Sequence, residues 1–168
     1  MALDIRPAVA AEFPAVADIC AAAYAPFLEP GIRYVDVLRD VGARAAAAEV
    51  LVAADDGNLL GTVTFVPDGG PLGEIATPAE TEFRMLAVDP AAQGRGVAGA
   101  LMERVLAESR RPGKDGIVCS SLPIMRAAHR VYDRFGFHRA PERDWSPTAG
   151  VELLAFVRPL DGAAPRSR

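Results

Sequence analysis

The chain has 168 residues, of which 51% are hydrophobic and 24% charged, and its formal net charge is −4. This length suits one domain with a real core, and the residue balance argues against wholesale disorder. Its basic residues are scattered, which argues against nucleic acid or an anionic membrane as a partner. No apolar run is long enough to span a membrane and residues 1–7 lack a signal-peptide pattern, so we expect a cytoplasmic protein.

The first part of the chain predicts a strand, two helices and a hairpin. Asp56-Gly57 suits the positive φ angles of a tight hairpin turn, so the two strands beside it should pair antiparallel. The predicted elements are a strand at 3–6, helices at 11–24 and 34–49, and strands at 50–54 and 59–66. Cys20 and Cys119 lack metal-ligand spacing, and we expect both to be small buried hydrophobes rather than a nucleophile or a disulfide.

Residues 67–81 predict a long polar loop, with three glycines and three prolines. Loops longer than about 12 residues are usually functional or disordered, and both interpretations stand. The later elements are a strand at 82–88, a helix at 96–110, a strand at 117–121, a helix at 127–135 capped by Gly136, and a closing hairpin of 137–140 with 151–158. We therefore predict one α/β domain over 1–160 and a flexible tail at 161–168.

Residues 85–98 place a buried strand, a loop with two glycines and the start of a helix in immediate succession. The first turn of a helix has unpaired N–H groups and the positive end of the helix dipole, and glycines let a phosphate approach the backbone. The spacing fits neither the dinucleotide pattern nor the P-loop. The segment alone therefore favours a diphosphate ligand of unspecified kind, and the alternative is that two glycines merely turn a loop.

Two segments carry a resemblance to a known family. Gln93-Gly94-Arg95-Gly96-Val97-Ala98 resembles the acyl-CoA pyrophosphate loop of the GNAT superfamily of N-acetyltransferases, Gln/Arg-x-x-Gly-x-Gly/Ala. Residues 128–137 are similar to that family's A-x-x-x-Y-x-x-x-G-F segment, and Ile5-Arg6-Pro7-Ala8 resembles its first strand. The resemblance covers nearly the whole chain. It implies a GNAT-like mixed, mostly antiparallel central sheet of about seven strands flanked by helices, with a bulge in the strand at 82–88 that splays from the strand at 117–121.

The resemblance also implies acetyl-CoA as cosubstrate, with no metal. Backbone groups of residues 86–88 would pair with the pantetheine arm, and amides of residues 94–99 would hold the pyrophosphate. One departure is Met125, which stands where many family members have an asparagine that contacts CoA. The cofactor-binding residues that it implies are Leu86, Ala87, Val88, Gln93, Gly94, Arg95, Gly96, Val97, Ala98 and Gly99.

Tyr132 matches the tyrosine of the family, which implies that it is the general acid. A phenol of pKa about 10 is protonated at neutral pH and can give its proton to the departing thiol. The alternative is a core tyrosine on an amphipathic helix.

Amine acetylation also needs a group that accepts a proton, because an amine attacks only in its neutral form. Glu82 is the first choice for this base, since regular alternation would place it on one face with Leu86 and Val88. The alternative is a solvated charge at a strand end, and Glu80 is a weaker substitute. His129 and His138 have no clear partner in the sequence.

The acceptor is poorly specified. In the family the segments at 24–34 and 67–81 cover the acceptor side. Their aromatic residues are Tyr24, Phe27 and Tyr34, and the acids that could attract a cation are Glu29, Asp36, Glu74 and Glu80, although solvated acids are the alternative. We expect an acetyl-CoA-dependent N-acetyltransferase whose acceptor, a small-molecule or peptide primary amine, attacks the thioester directly. The alternative is a non-catalytic acyl-CoA-binding sensor or interaction module, and a homodimer is left open.

Overall fold

The structure is a computed structural model that describes residues 2–161. Apart from Asp161, the tail predicted at 161–168 lies outside the described residues. The strands are β1 (Asp4–Pro7), β2 (Glu49–Asp55), β3 (Asn58–Val66), β4 (Glu80–Val88), β5 (Gly116–Ser121), β6 (His138–Arg139), β7 (Trp145–Thr148) and β8 (Val151–Pro159). The α-helices are α1 (Phe13–Tyr24), α2 (Tyr34–Arg39), α3 (Val41–Ala47), α4 (Val97–Ser109) and α5 (Arg126–Arg134).

The strands form a mixed sheet in the order β1-β2-β3-β4-β5-β8-β6, and β7 pairs with β8. Strands β4 and β5 run parallel, whereas β1 with β2, β2 with β3, and β8 with β5, β6 and β7 run antiparallel. The predicted mixed, mostly antiparallel α/β fold is confirmed. Within residues 2–161 the sheet has eight strands rather than about seven, because Trp145–Thr148 pairs with β8 where a connection was predicted.

Contacts along the chain divide it into two units. The first combines the residues up to Phe65 with Arg84–Val105, and the second combines Val66–Phe83 with the residues from Leu106 onward. In the first unit, β2 and β3 form the predicted hairpin, with positive φ angles of 48° at Asp56 and 80° at Gly57. A two-residue turn with these positive φ angles has a backbone twist that matches the twist of the two strands it connects.

The single helix predicted at 34–49 is wrong, because the segment forms two short helices that meet at Asp40. The Asp40 backbone leaves the helical region (φ −81°, ψ 67°), and its side chain accepts a hydrogen bond from the amide of Ala43 at 3.1 Å. Aspartate is a strong N-cap residue, so it starts α3 where the hydrophobic pattern alone predicted continuity. The break also separates Leu38, at the end of α2, from Arg44 in α3.

In the second unit, β8 pairs with β5 along six residue positions and also with β6 and β7. The closing hairpin of the prediction is thus present in a different form, with a two-residue β6 and an inserted β7. Cys20 and Cys119 are both buried thiols, as predicted. Across the described residues, none of the helices combines the length and the apolarity that a bilayer crossing requires.

Candidate cofactor and proton-transfer site

The glycine-containing loop between β4 and α4 has an open, exposed backbone. Gly94 and Gly96 have φ angles of 77° and 78°, in the left-handed region that favours glycine. A Cβ atom built on either residue would meet no heavy atom within 4 Å. Residues 93–96 are exposed, and Val97, which begins α4, is buried. At Gly94 and Gly96 the loop therefore presents its backbone to solvent, just before the start of a long helix.

The first turn of α4 supplies amide donors beside this loop. The amide of Ala100 donates to the carbonyl of Gly96 at 3.0 Å, which begins the helical hydrogen-bond ladder. The N–H groups of residues 97–99 precede it and have no acceptor within the helix. Together with the positive end of the helix dipole, they make this turn suited to an anion. The amides predicted to hold the pyrophosphate, those of residues 94–99, are therefore shared between the glycine loop and this first turn.

Two contacts hold the glycine loop against other residues of the first unit. The amide of Asp89 donates to the carbonyl of Leu60 at 2.8 Å, which holds the end of β4 against β3. The guanidinium of Arg95 forms an ion pair with Asp55 at 3.0 Å. This ion pair is partly exposed, with 42% of the Arg95 side chain and 30% of the Asp55 side chain accessible to solvent.

Strand β4 is interrupted at Met85, which has a φ angle of 56°. A bulky residue in the left-handed region is strained by about 1–3 kcal/mol, and such outliers accompany bulges. The regular alternation assumed from Glu82 to Val88 therefore does not hold at Met85. Beyond it, Leu86 and Val88 are partly exposed and Ala87 is buried.

The end of helix α5 explains the spacing between Tyr132 and Gly136. The amide of Phe137 donates to the carbonyl of Tyr132, and the amide of Gly136 donates to that of Asp133, both at 3.0 Å. This is the hydrogen-bond pattern of a Schellman motif, and Gly136 supplies the left-handed residue with a φ angle of 80°. The rings of Tyr132 and Phe137 then meet with their centroids 6.0 Å apart.

Tyr132 is buried, with 5% of its surface exposed, and its ring packs against Phe83 and Phe156 as well as Phe137. Its hydroxyl forms a hydrogen bond with the thiol of Cys119. Burial raises the pKa of Cys119 well above its ordinary value, and the charge of Glu82 raises it further, with partial compensation from the Tyr132 hydrogen bond. Cys119 is thus a neutral thiol that lies near both predicted catalytic side chains.

Glu82 is fully buried, so the interpretation of a solvated charge at a strand end is wrong. Its Oε2 atom accepts backbone hydrogen bonds from Glu74, Ile75 and Ala76 at 2.9, 3.3 and 3.2 Å. Three successive amides form a small anion-binding nest around this oxygen. The other oxygen, Oε1, is buried without a hydrogen-bond partner.

Glu80 belongs to β4 rather than to the preceding loop, and it is held by Arg143. The guanidinium donates to both carboxylate oxygens, with Nη1–Oε1 at 2.9 Å and Nη2–Oε2 at 2.8 Å. Arg143 also donates to the carbonyl of Ile75, while the amide of Thr77 donates to Glu80 at 2.9 Å. Glu80 is therefore a structural anion and not a substitute base.

The two carboxylates together hold four consecutive amides, those of residues 74–77. The sequence left the 67–81 loop as either functional or disordered. These hydrogen bonds argue against disorder in the C-terminal part of the loop. The loop is fixed to β4 by charge-assisted hydrogen bonds, which are stronger than neutral ones.

His129 differs from its sequence-based interpretation, and Met125 lies close to it in sequence at the start of α5. His129 does have a partner, because its Nε2 lies 3.1 Å from the hydroxyl of Ser121. Partial burial lowers the pKa of His129, and Arg139 and Arg126 lower it further, against an opposing hydrogen bond with the backbone of Leu122. Met125 occupies the N-cap position of α5 and makes no side-chain cap hydrogen bond.

The described residues include no group of three or more histidine, cysteine, aspartate or glutamate side chains that could hold a metal ion.

The comparisons with known proteins agree with this geometry. The profile of the acetyltransferase (GNAT) family matches residues 14–137, which is most of the chain. The chain belongs to the GNAT family. It is also 36% identical over 141 residues to a mycothiol acetyltransferase from Rhodococcus jostii, covering 82% of this chain. The chain spans only 40% of the length of that relative.

Solved GNAT structures share the fold. A GCN5-related N-acetyltransferase from Kribbella flavida is 27% identical, with a TM-score of 0.65 over 95% of this chain and 98% of that one. A GNAT acetyltransferase from Brucella melitensis, solved with acetyl-CoA, is 24% identical, with a TM-score of 0.62 over 99% and 94% of the two chains. At this level of identity, the Brucella likeness establishes the fold alone.

Sequence reasoning missed three residues of this GNAT chain. Arg143 pairs with Glu80, which is 63 residues away in the sequence, and no local sequence pattern predicts such a pair. Cys119 is buried as predicted, and it also contacts Tyr132, which its sequence context does not indicate. Arg44 lies in the segment predicted as a helix at 34–49, and it is only 1% exposed. Its position on the helical repeat beside Val41 is the one signal in the sequence that could have indicated its burial.

We predict that Arg143→Gln lowers the free energy of unfolding by about 3 kcal/mol, because the buried Glu80 would lose its ionic partner. The amides of residues 75–77 should also exchange faster with deuterium. Chemical denaturation and hydrogen exchange would measure the two effects.

The matched control is Arg110→Gln, which breaks the exposed ion pair with Asp161 in the same unit. Exposed pairs contribute at most about 1 kcal/mol, so this variant should remain close to wild type. Equal effects of the two substitutions would contradict the assigned role of Arg143.

Proposed function

We propose that the protein is an acetyl-CoA-dependent N-acetyltransferase that transfers an acetyl group to a primary amine. The observation that carries this proposal is the exposed loop with positive φ angles at Gly94 and Gly96, directly before the first turn of α4. Membership of the GNAT family supports the same activity.

The residues present fit acetyl-CoA. The space around Gly94 and Gly96 is open where side chains would otherwise stand, and the adjacent helix start offers N–H donors to a pyrophosphate. The parallel register of β4 with β5 extends over three residue pairs and ends at Glu82, so the backbone of residues 86–88 is available to an extended arm. When bound, acetyl-CoA supplies the acetyl group as a thioester.

Tyr132 is our proposed general acid. It holds the only exchangeable side-chain proton in the aromatic cluster of Tyr132, Phe83, Phe137 and Phe156, and that cluster fixes the ring. During turnover the hydroxyl gives its proton to the sulfur that leaves the acetyl carbon. The thiol of Cys119 lies beside that hydroxyl and can hydrogen-bond to the phenolate that remains.

Glu82 is our proposed general base, through Oε1. Its Oε2 is bound to three amides, which orient the carboxylate, whereas Oε1 has no hydrogen-bond partner. Because Glu82 is fully buried, the amine proton must reach Oε1 through water rather than by direct contact. The neutral amine that results then attacks the thioester carbon.

The proposed acceptor is a small-molecule or peptide amine. The Rhodococcus relative is named for mycothiol, so amines related to that compound belong among the acceptors tested. Glu80 cannot attract a cationic acceptor as the sequence suggested, since Arg143 neutralises it.

A second candidate function is a GNAT module that binds acyl-CoA without turnover. Two observations favour it: the Tyr132 hydroxyl and one oxygen of Glu82 both have internal partners, and Met125 replaces the asparagine common in the family. Release of CoA thiol from acetyl-CoA, measured across a panel of amines, separates the two functions. Thiol release that depends on an amine supports the enzyme, and tight acetyl-CoA binding without release supports the module.

We predict that Gly96→Glu weakens acetyl-CoA binding by about 100-fold or more. The new side chain would occupy the open space in front of the α4 amides and would bring a negative charge against the pyrophosphate. Isothermal titration calorimetry with acetyl-CoA would measure the loss.

Gly113→Glu is the matched control for this substitution. Gly113 has a φ angle of 79° and open space at its Cβ position, so the backbone strain and the added charge are the same. This variant should bind acetyl-CoA as the wild type does. If Gly96→Glu also binds normally, the phosphate assignment of the loop is wrong.

We predict that Tyr132→Phe lowers kcat by about 100-fold, at the lower end of the usual range for general acid catalysis, because water replaces part of the donation. The ring packing remains, so the melting temperature and the acetyl-CoA affinity should stay close to wild type. Steady-state kinetics with a confirmed acceptor at saturation would measure kcat.

Phe137→Leu serves as the comparison, since it disturbs the packing around Tyr132 without removing a proton. It should lower the melting temperature but preserve the turnover of the folded fraction. Wild-type turnover in a stably folded Tyr132→Phe variant would refute the assignment of the acid.

A further inference from the structure

Gly61, in the interior of β3, lies at a very close approach between elements of the first unit. It is buried, and a Cβ atom built on it would lie 2.6 Å from Cγ1 of Val97 and 2.9 Å from the carbonyl oxygen of Ala87. Cδ1 of Leu101 would lie 3.3 Å away. Atoms in ordinary van der Waals contact lie about 3.5–4.0 Å apart, so a side chain fits at this position only if its neighbours shift.

The requirement for glycine here comes from space and not from backbone conformation. Gly61 lies outside the left-handed region, in contrast to Gly94 and Gly96 of the glycine loop. An alanine could therefore adopt the strand backbone of Gly61, and the close approach of its neighbours is what excludes it. Glycine inside a strand often marks such an approach of another backbone.

A β-bulge lies directly beside Gly61. The register between β2 and β3 shifts next to Ala53, which pairs with Gly61, so that Leu60 is an extra residue of β3. A bulge bends its strand and re-aims the residues beside it. The carbonyl of Leu60 also accepts the 2.8 Å hydrogen bond from the amide of Asp89. The bulge therefore holds the end of β4 at the point where glycine allows close contact.

The neighbours of Gly61 belong to both parts of the proposed cofactor site. Ala87 lies in the stretch of β4 whose backbone is proposed to pair with the pantetheine arm. Val97 is the first residue of α4, whose first-turn amides are proposed to hold the pyrophosphate. Ala87, Val97 and Leu101 are each at most 2% exposed, and a close-packed core leaves them little room to give way. A valine in a helix is also largely restricted to one χ1 rotamer.

We propose that Gly61 is a positioning residue of the acetyl-CoA site, because its missing side chain sets the distance of both Ala87 and Val97 from β3. The inference rests on the proposed function and adds a residue that acts through its neighbours. A methyl group at position 61 would displace them by about 1 Å, the difference between 2.6 Å and ordinary contact. Hydrogen bonds to a ligand need donor–acceptor distances of about 2.7–3.2 Å, so a displacement of this size weakens binding.

The test measures acetyl-CoA binding by isothermal titration calorimetry. Gly61→Ala should raise Kd for acetyl-CoA by about tenfold or more, the scale on which overpacking of a core acts. A merely structural role of Gly61 would lower the melting temperature and leave wild-type affinity in the folded protein. That result would overturn the proposal.

Gly42→Ala is the matched control in the same unit. Gly42, in α3, also lies outside the left-handed region, and a Cβ atom built on it meets no heavy atom within 4 Å. This variant should bind acetyl-CoA as the wild type does. An equal loss of affinity in Gly42→Ala and Gly61→Ala would overturn the proposal, because the close approach would then not be the cause.

A second substitution tests whether Gly61 acts through Val97. Val97→Ala removes Cγ1, the atom that the new methyl group would meet at 2.6 Å, and keeps the backbone amide. The double variant Gly61→Ala/Val97→Ala should bind acetyl-CoA more tightly than Gly61→Ala, a coupling that a double-mutant cycle measures. It should still bind more weakly than Val97→Ala, since the contact with the carbonyl of Ala87 remains.

Two outcomes of this cycle would contradict the proposal. A double variant in which the two losses of affinity simply add would overturn it. If Gly61→Ala alone does not fold, the double variant decides, and equal affinity of the double variant and Val97→Ala would overturn it.

Hydrogen–deuterium exchange of the ligand-free protein separates this proposal from the proposed function. If the wild type does not bind acetyl-CoA, the proposed function fails, and the placement of β4 and α4 by Gly61 can still be measured. The amides of Asp89, at the end of β4, and of Ala100, in the first turn of α4, should exchange faster in Gly61→Ala than in Gly42→Ala or the wild type. Unchanged exchange of both amides would overturn the positioning role of Gly61.

Discussion

The left-handed backbone at Gly94 and Gly96 is the constraint on which the proposed site depends. Both φ angles, 77° and 78°, are readily available to glycine and costly for other residues by roughly 1–2 kcal/mol. They allow a short exposed loop to connect the end of β4, fixed by the Asp89–Leu60 hydrogen bond, to the buried Val97 of α4. The start of α4 therefore lies beside open backbone, an arrangement suited to a phosphate group.

Strand β4 connects this loop to the groups proposed for proton transfer. Its first residues include Glu80 and Glu82, buried carboxylates that hold the amides of residues 74–77, and its last residues precede the glycine loop. Met85 interrupts the regular pleat between the two parts at a cost in backbone strain. Such departures from ideal geometry and charge burial are expected at functional sites, where the rest of the fold compensates for them.

Much of this architecture could be predicted from the sequence because its signals are local. The Asp56-Gly57 turn, the glycine loop and the Schellman end at Gly136 each lie within a few consecutive residues. The break at Asp40 was missed because a side-chain cap competes with a continuous hydrophobic pattern. The Glu80–Arg143 pair could not be predicted, since the two residues are 63 positions apart and meet only through the fold. The predicted cofactor-binding and catalytic residues stay predictions, because their roles are defined by contacts with a bound ligand.

Hydrogen–deuterium exchange with and without acetyl-CoA reports on the backbone that is proposed to bind the ligand. We expect slower exchange at the amides of residues 94–99 and in β4 at residues 86–88, at acetyl-CoA concentrations that saturate binding. Protection confined to other segments, or unchanged exchange of these amides when acetyl-CoA is bound, would contradict it.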